Sequence, residues 1–364
     1  MRWYFFSNQP PWTSIRYSEQ AIKDCIPEFL LRLWNVYSFF VIYANIDKFD
    51  PAALINTAAG QLSAEALATA RLSSPKSAKS FRPVVKRSEL DRWILSELSR
   101  TAAAVTECMD AYNNFAACAR LSEFVDALSN WYLRRSRDRF WSGEQSADKI
   151  DAYWTLYECL LTTCKLIAPF VPFLAEELWQ NLAVAAFCGA GVSPAQAVGT
   201  TAPQAVVESV HLCDYPCGDP AAVDELLSER MALVREIVSL GRSARMGAKL
   251  KVRQPLSLVE VILADTTHQT WLEQHAALIC DELNVKAVEF ATKSDQYITY
   301  TILPDLKRLG PRLGKRLPAL KKLLSETDGG KLLAELQSQG KVTLRLADGP
   351  VTLDAEDIQV RLQA

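Results

Sequence analysis

A short segment rich in arginine and aromatic residues is the first part of this sequence whose residue types could do chemistry. Residues 129–141, SNWYLRRSRDRFW, hold four arginines against the single acidic Asp138, with aromatic side chains on both sides. Guanidinium groups bind phosphates and aromatic rings stack on unpaired bases, so this composition is typical of contact with RNA. The candidate binding residues are Trp131, Arg134, Arg135, Arg137, Arg139 and Trp141.

The same segment also fits a purely structural role. On a helix, Arg135 and Arg139 are i,i+4 neighbours and Arg134 and Arg137 are i,i+3 neighbours, so the arginines cannot all share one face. A helix that buries its tryptophan and phenylalanine side chains, and pairs its arginines with carboxylates of neighbouring helices, also explains the pattern. Taken alone, the segment favours this structural interpretation.

A second segment carries several positive charges and no negative one. Residues 241–256, GRSARMGAKLKVRQPL, contain the cationic candidates Arg242, Arg245, Lys249, Lys251 and Arg253. Such density in a nearly neutral protein indicates contact with a polyanion. The alternative is a solvated helix end, because cations near a helix C-terminus interact favourably with its dipole. The residues alone leave both interpretations open.

Common catalytic and metal-binding motifs are missing from the sequence. There is no P-loop, no GxGxxG, no GxSxG nucleophile elbow and no HExxH. His211, Cys213 and Cys217 form a small cluster, HLCDYPC, but three such residues without a second pair do not match a zinc finger or ribbon. We therefore expect an ordinary loop there, with no catalytic residue, no metal and no cofactor in this chain.

Composition narrows the class of protein further. The 364 residues are 49% hydrophobic and 23% charged, with a net charge of −2, which excludes a mostly disordered chain and a strongly basic nucleic-acid-coating protein. An odd count of nine scattered cysteines is typical of free thiols in a reducing compartment. The apolar runs are short and interrupted by charges, so we expect no membrane span, no membrane partner and a cytoplasmic location.

The periodicity of the chain predicts the elements that position these segments. Apolar residues recur at helical spacing through most of residues 18–182, with Ser18 and Ser88 as N-caps, so a mainly α protein with an antiparallel helical bundle is expected. After Pro255 the period changes to two, and Asp348-Gly349 marks a hairpin turn, so a small C-terminal α/β domain follows. The predicted regions are 1–55, a linker or insertion at 56–87, a helical domain at 88–246 with a loop insertion at 184–206, and the α/β domain at 247–364.

Several of these motifs resemble one known family. The chain is similar to the C-terminal half of isoleucyl-tRNA synthetases, which are class I aminoacyl-tRNA synthetases. The resemblance rests on RWYFFSNQPPW (2–12), LWNVYSFFVIYANID (33–47), ELDRWILSEL (89–98), LSNWYLRRSRDRFW (128–141), AYWTLYECLLTTCKLIAPFVPFLAEELWQNL (152–182), SVHLCDYP (209–216), REIVSLGRSARMGAKLKVRQPL (235–256), DELNVKAVEF (281–290) and LGPRLGKRLP (309–318).

The resemblance implies a role for each region. Residues 1–55 would be a remnant of the stem-contact region that follows the KMSKS motif, and residues 88–246 would be the anticodon-binding domain. In that family such a domain holds the anticodon stem and reads splayed anticodon bases. The partner would then be tRNA(Ile), and the resemblance favours tRNA contact for parts of 131–141 and 242–253.

The resemblance also implies what this chain would lack. The family's HIGH-like and KMSKS-like motifs, its editing domain and its Cys-rich zinc module do not occur here, so the chain looks like the zinc-free, eukaryote-like branch. ATP and Mg would act only in the complete enzyme, with a separate N-terminal catalytic half as a further partner. We expect this chain alone to be inactive in aminoacylation.

Two alternatives stay open from the sequence. The chain could be an inactive truncated or split-gene fragment that serves only as a structural or interaction module. It could also be the equivalent part of a valine–tRNA ligase, because LSNWY, RRSR and RFW recur in the valyl relatives.

Overall fold

The computed structural model describes residues 1–10, 12–14, 18–49, 51, 82–184, 207–263 and 265–291, and in the C-terminal region 299–304, 308–309, 314, 317–326, 332, 341–346, 349–354 and 357–363. The chain splits into two compact units, Met1–Met231 and Ala232–Ala364. Most of the linker predicted at 56–87 and nearly all of the insertion predicted at 184–206 lie outside the described residues.

The first unit is built from α-helices. This agrees with the predicted mainly α class. In chain order these helices are α1 (Arg2–Ser7), α2 (Glu19–Cys25), α3 (Leu31–Asp47), α4 (Glu89–Asp110), α5 (Asn114–Asp126), α6 (Arg134–Trp141), α7 (Ala147–Ile167) and α8 (Pro172–Trp179). A further helix, α9 (Glu225–Gly247), begins in this unit and continues in the second.

Side-chain caps fix where several of these helices begin. The Ala21 backbone N–H donates to Ser18 Oγ at 3.0 Å, which confirms the predicted cap of α2. At the start of α4, the Asp91 N–H donates to Ser88 Oγ at 3.2 Å, and Ser88 Oγ donates back to Asp91 Oδ2 at 2.8 Å. This reciprocal pair satisfies a backbone donor that a helix leaves without a partner.

In the part of the chain that the structure describes, three π-helical turns interrupt or extend the α-helices. They are Ile26–Leu30, Ala127–Leu133 and Gln180–Val184. The first contains Pro27, where the sequence predicts a kink or a boundary between two helices. The second joins α5 directly to α6, so the chain runs from Asn114 to Trp141 without leaving a helical path. A π-turn changes which side chains face the core after it.

Aromatic side chains fill much of the core of this first unit. Trp3 stacks on Phe29 with ring centroids 3.7 Å apart, and this contact joins α1 to the first π-turn. Phe140 meets Tyr153 edge-on at 4.9 Å, which joins α6 to α7. Edge-to-face contact is a favourable arrangement for aromatic pairs. The Phe140–Tyr153 contact holds α6, the helix of the first cationic segment, against the core.

The continuous helical stretch Glu19–Asp47 differs from the prediction that no segment could span a membrane. Among the residues described, it is the one helix whose length and apolar composition would allow a span. Its residues Phe29, Leu33, Val36 and Phe40 are nevertheless buried in the first unit.

The described residues of the second unit form three pairs of strands and several short helices. Strands β1 (Leu256–Ile262) and β2 (Val285–Ala291) pair in parallel, with Leu256 opposite Val285, and α10 (Gln269–Gln274) and α11 (Ala276–Leu283) form the crossover. The other elements are β3 (Thr299–Pro304), α12 (Leu317–Glu326), β4 (Lys341–Leu346), β5 (Gly349–Asp354) and β6 (Ile358–Gln363).

The remaining strands of this unit pair antiparallel. β3 pairs with β6, and β4 pairs with β5 with Leu346 opposite Gly349. The latter pair confirms the predicted hairpin. A separate apolar cluster that includes Ile302, Leu320 and Leu353 forms the core of this part. The change of period after Pro255 therefore marked real strands.

Candidate functional site

Helix α6 presents a cationic and aromatic face to solvent. Arg134, Arg137 and Trp141 follow one another at i, i+3 and i+7, a spacing that places them on one side of an α-helix. Both arginines are exposed, and the Trp141 side chain is 55% exposed. On the opposite side Ser136 and Phe140 are buried. We call Arg134, Arg137 and Trp141 the α6 face.

A neighbouring tyrosine holds the exposed indole in this face. Trp141 Nε1 donates a hydrogen bond to Tyr43 Oη at 2.7 Å. Tyr43 lies on α3, where its ring also packs on Phe39 at 4.5 Å between centroids. Since the indole N–H is engaged by α3, the ring keeps a defined orientation while much of its surface stays accessible. An aromatic surface of this kind can stack on an unpaired base.

Arg139 has a structural role. Its Nη1 and Nη2 donate to the two carboxylate oxygens of Asp91 at 2.9 and 2.7 Å, and its Nε donates to Asp148 Oδ2 at 2.8 Å. Asp91 is fully buried and also accepts from Tyr132 Oη at 2.7 Å. These bonds join α6 to the starts of α4 and α7.

The environment of Asp91 favours its charged form. Burial by itself raises the pKa of this carboxyl, but the hydrogen bonds and charge of Arg139, together with the hydroxyls of Tyr132 and Ser88, outweigh it and leave the pKa below its usual value. Burial likewise lowers the pKa of the Arg139 guanidinium, and the pairing with Asp91 outweighs this and raises it. The pair is therefore ionised at neutral pH.

The other two candidates of the first segment are less accessible than the α6 face. Trp131 belongs to the π-turn before α6 and is only 7% exposed, so its ring packs in the core. Arg135 is half-buried. The structure thus divides the predicted set: it places Arg134, Arg137 and Trp141 outward, and Trp131 and Arg139 inward.

The second cationic segment forms the end of α9 and the loop that follows it. We call this loop, residues 248–255, the basic loop. Lys249, Lys251 and Arg253 are exposed within it. Among the residues that the structure describes, no ion pair involves these three side chains. The basic loop therefore offers three cations to an anionic partner.

The two arginines on α9 are bound within the protein. Arg242 Nη2 donates to Glu282 Oε2 at 2.5 Å, and Glu282 lies in α11. Arg245 is 4% exposed and donates to backbone carbonyls of Lys251, Gln254 and Asn284 at 3.0–3.1 Å. Arg242 and Arg245 thus connect α9 to the start of the parallel strand pair.

The HLCDYPC segment is tied down by a glutamate of α8. Glu176 Oε2 accepts from Ser209 Oγ at 2.8 Å and from the Val210 N–H at 3.1 Å, and lies 3.9 Å from His211 Nε2. Cys213 Sγ contacts the Ser209 carbonyl oxygen at 3.7 Å. Among the described parts of the chain, no group of three or more His, Cys, Asp or Glu residues is arranged to hold a metal ion.

Sequence reasoning missed the residues that hold the candidate side chains in place. They are Asp91 for Arg139, Tyr43 for Trp141, Glu282 for Arg242, and Asn284 for the basic loop. Each is 32 or more residues away from its partner in the chain. Local spacing carries no signal for such pairs, because tertiary contacts bring them together.

Comparison with known protein families assigns a class to the region that contains both candidate surfaces. Residues 91–262 match the family described as "Anticodon-binding domain of tRNA ligase". This range covers α6 with its exposed face, and also the basic loop. This part of the chain is therefore similar to the anticodon-binding domains of tRNA ligases.

The curated relatives make the assignment more specific. The chain is 36% identical over 364 residues to the isoleucine–tRNA ligase of Clostridium novyi, covering 100% of this chain and 30% of that protein. It is 35% identical over 365 residues to the Thermus thermophilus isoleucine–tRNA ligase, covering 100% of this chain and 31% of the relative. It is 44% identical over 288 residues to that of a Dehalococcoides mccartyi strain, covering 79% of this chain and 24% of the relative.

The chain is thus similar to isoleucine–tRNA ligases along its whole length. It spans about 30% of the length of the Clostridium novyi relative.

Proposed function

We propose that this chain is the tRNA-binding portion of an isoleucine–tRNA ligase, and that its partner is tRNA(Ile). One observation carries the proposal: residues 91–262, which match the anticodon-binding family, contain both exposed surfaces. The α6 face offers cations and an indole, and the basic loop offers cations. Exposed cations hold the phosphates of an RNA backbone, and an exposed indole stacks on a base that has left its helix.

The finer points of this proposal concern the complete enzyme. We propose that the chain corresponds to a C-terminal part of the enzyme. ATP- and Mg-dependent charging would be done by a catalytic half, joined to this chain or separate from it, in the cytoplasm. Residues of this chain would bind and orient the anticodon end of the tRNA.

A titration against tRNA tests the proposal directly. We expect the chain to bind a tRNA(Ile) transcript in a filter-binding assay, with an affinity that falls as salt rises, because binding releases counterions from the phosphates. A scrambled RNA of equal length is the control. Equal affinity for the two RNAs at every salt concentration would contradict a tRNA-specific function and favour the inactive-fragment alternative.

Paired substitutions test the α6 face. Arg134→Ala together with Arg137→Ala should weaken binding and reduce the slope of log affinity against log salt by about 1.4 to 1.8, or roughly 0.7–0.9 for each phosphate that is no longer neutralised. The matched control is Lys23→Ala with Arg120→Ala, which removes the same charge from exposed helical positions elsewhere in the first unit. An unchanged slope in the first variant, or an equal change in both, would exclude the α6 face.

The choice between isoleucine and valine has its own measurement. All the relatives quoted above are isoleucine–tRNA ligases, which favours tRNA(Ile). We expect a tRNA(Ile) transcript carrying a valine anticodon to bind more weakly than the natural one. Tighter binding of the valine-anticodon transcript would point instead to a valine–tRNA ligase.

A further inference from the structure

The backbone of the basic loop, whose cationic side chains are exposed, is held by the buried arginine Arg245. Arg245, at the end of α9, points its guanidinium at the backbone carbonyls of Lys251 (3.1 Å), Gln254 (3.0 Å) and Asn284 (3.1 Å). Among the residues described, no carboxylate forms a salt bridge with it. The rigid, planar donor set of one arginine therefore fixes two points of the loop and the residue before β2 relative to α9.

Asn284 restrains the same loop from the other side. It follows α11 in the left-handed conformation, with φ of 50°, and its Nδ2 donates to the Val252 carbonyl at 3.0 Å. The Leu256 N–H, at the start of β1, donates to the Asn284 carbonyl at 3.1 Å. The carbonyls of Lys251, Val252 and Gln254 are thus all held by Arg245 or Asn284. These bonds leave the side chains of Lys251 and Arg253 in solvent.

Lys249 occupies a backbone conformation that a lysine adopts at a cost. Its φ is 57°, and the Leu250 N–H bonds the Arg245 carbonyl at 2.8 Å while the Lys249 N–H bonds the Met246 carbonyl at 3.0 Å. This is the Schellman ending of a helix, in which the left-handed position normally carries glycine. A lysine there costs backbone free energy that a glycine would not, and its side chain is exposed. A lysine at this position places its ammonium group in the basic loop.

We propose that Arg245 and Asn284 are positioning residues: they hold the basic loop in one conformation, so that Lys249, Lys251 and Arg253 meet the phosphates of a bound tRNA as a fixed set of cations. The inference rests on the tRNA-binding function proposed above and adds a division of labour to it. Loops that are ordered before binding lose less conformational entropy when they bind. Arg245 then contributes to affinity without touching the RNA.

Lys249→Gly separates the binding role of the loop from its structural role. Glycine adopts the left-handed conformation without strain, so the variant should unfold at an equal or higher temperature than the unaltered chain. The same variant should bind tRNA(Ile) about two- to fivefold more weakly, because one exposed ionic interaction with a phosphate is removed. Unchanged affinity would show that Lys249 does not meet the tRNA.

A double-mutant cycle tests the positioning role itself. Asn284→Gly removes the amide that holds Val252 and keeps the left-handed conformation, and Lys251→Ala removes one cation. If Asn284 acts by placing Lys251, the fold loss in tRNA affinity caused by Lys251→Ala should be smaller in the Asn284→Gly background than in the unaltered chain. If the fold loss in tRNA affinity of the double variant equals the product of the two single-variant losses, the two residues act independently and the proposal is overturned. Arg245→Lys, which keeps the charge but loses the planar donor set, should weaken binding in the same way.

A control variant excludes a general loss of stability as the cause. Ile279→Val shortens a buried side chain of α11, so it should lower the unfolding temperature slightly. Lys251→Ala should keep its full effect on affinity in that background. If the unaltered chain does not bind tRNA at all, the proposed function and this inference fail together. If it binds and the cycle shows no coupling, only this inference fails.

Discussion

Arg139 differs from the arginines beside it in what surrounds its charge. Arg134 and Arg137 are exposed residues, whereas Arg139 gives its hydrogen bonds to Asp91 and Asp148. A buried carboxylate and guanidinium each lose hydration on folding, and their mutual bonds repay this only while both partners are present. The pair therefore fixes α6 against α4 and α7, and the α6 face depends on it.

Replacing Asp91 by asparagine should destabilise the fold strongly. The amide keeps the shape of the side chain but leaves the Arg139 charge without its buried counter-ion, a change that costs about 3–5 kcal/mol in comparable pairs. Urea unfolding followed by circular dichroism measures the loss. Asp138→Asn, at an exposed position of α6 next to Arg139, is the matched control and should lie within about 0.5 kcal/mol of the unaltered chain. Equal stability of the two variants would show that the pair contributes little.

The Asp91 carboxylate should also make stability depend on pH. Its pKa in the folded protein lies below the ordinary value of 3.8, so the unfolded chain takes up a proton first as pH falls. The stabilisation is complete above about pH 4 and is lost as pH falls through the lower pKa of the folded state. The difference in unfolding free energy between the unaltered chain and Asp91→Asn should shrink over that acidic window. A difference that stays constant down to about pH 2 would contradict this assignment.

The sequence predicted the position of the candidate site better than its details. It located both cationic segments, and the i,i+3 and i,i+4 spacings separated Arg134 and Arg137 from Arg135 and Arg139. It could not tell which pair faces solvent, since that depends on Asp91, which lies 48 residues before Arg139. It also could not tell that Arg245 is buried, because the carbonyls that surround it come from a loop and from the end of a distant helix.

At the scale of elements, the loop at Gly218 can approach helix α4 closely because glycine has no side chain. Gly218 follows the HLCDYPC segment and lies against α4. A Cβ at this position would stand 2.4 Å from the Ser99 carbonyl oxygen and 2.8 Å from Ala103 Cβ. Neither neighbour is the flexible end of a side chain, so the loop or the helix backbone would have to move.

Gly218→Ala should therefore destabilise the first unit, by about 1–3 kcal/mol, the usual cost of overpacking. Gly143→Ala provides the matched control, because nothing lies within 4 Å of a Cβ built there. Thermal unfolding of both variants measures the effect. A Gly218→Ala variant that unfolds at the same temperature as Gly143→Ala would show that the loop shifts at no cost.

Local signals in the sequence predicted much of the element order. The caps at Ser18 and Ser88, the hairpin at residues 341–354 and the strands after Pro255 all follow from residue types within a few positions. The close approach at Gly218 has no such signal, because a glycine in a loop is compatible with many backbone paths. The apolar length of Glu19–Asp47 was also missed, because its charges lie near its ends and at Glu28 and Arg32.

At the scale of the whole molecule, a neutral total conceals an uneven distribution of charge. The chain has 40 basic and 42 acidic residues, yet the α6 face and the basic loop carry exposed cations. Such concentration lets a protein of pI near 6.1 attract a polyanion without binding nucleic acid everywhere on its surface. Raising the salt concentration should weaken tRNA binding while leaving the fold intact.

The chain should be unable to activate an amino acid by itself. It holds neither the HIGH-like nor the KMSKS-like motif, and nothing in its sequence replaces them. Isoleucine-dependent exchange of pyrophosphate into ATP should stay at background with the 364-residue chain. A full-length isoleucine–tRNA ligase is the positive control. Exchange above background would show that this chain itself contains a catalytic site for amino-acid activation, and would contradict the prediction.

The π-turn before α6 makes the length of this segment as important as its composition. The bonds of a π-turn span five residues where those of an α-helix span four, so Ala127–Leu133 can lose one residue by closing into α-helical turns. A deletion inside α6 itself has no such outlet and rotates every later residue by about 100°, which would move Arg139 away from Asp91. We therefore expect a single-residue deletion to be tolerated better in the π-turn than at Arg135 in α6, as thermal unfolding of the two variants would show.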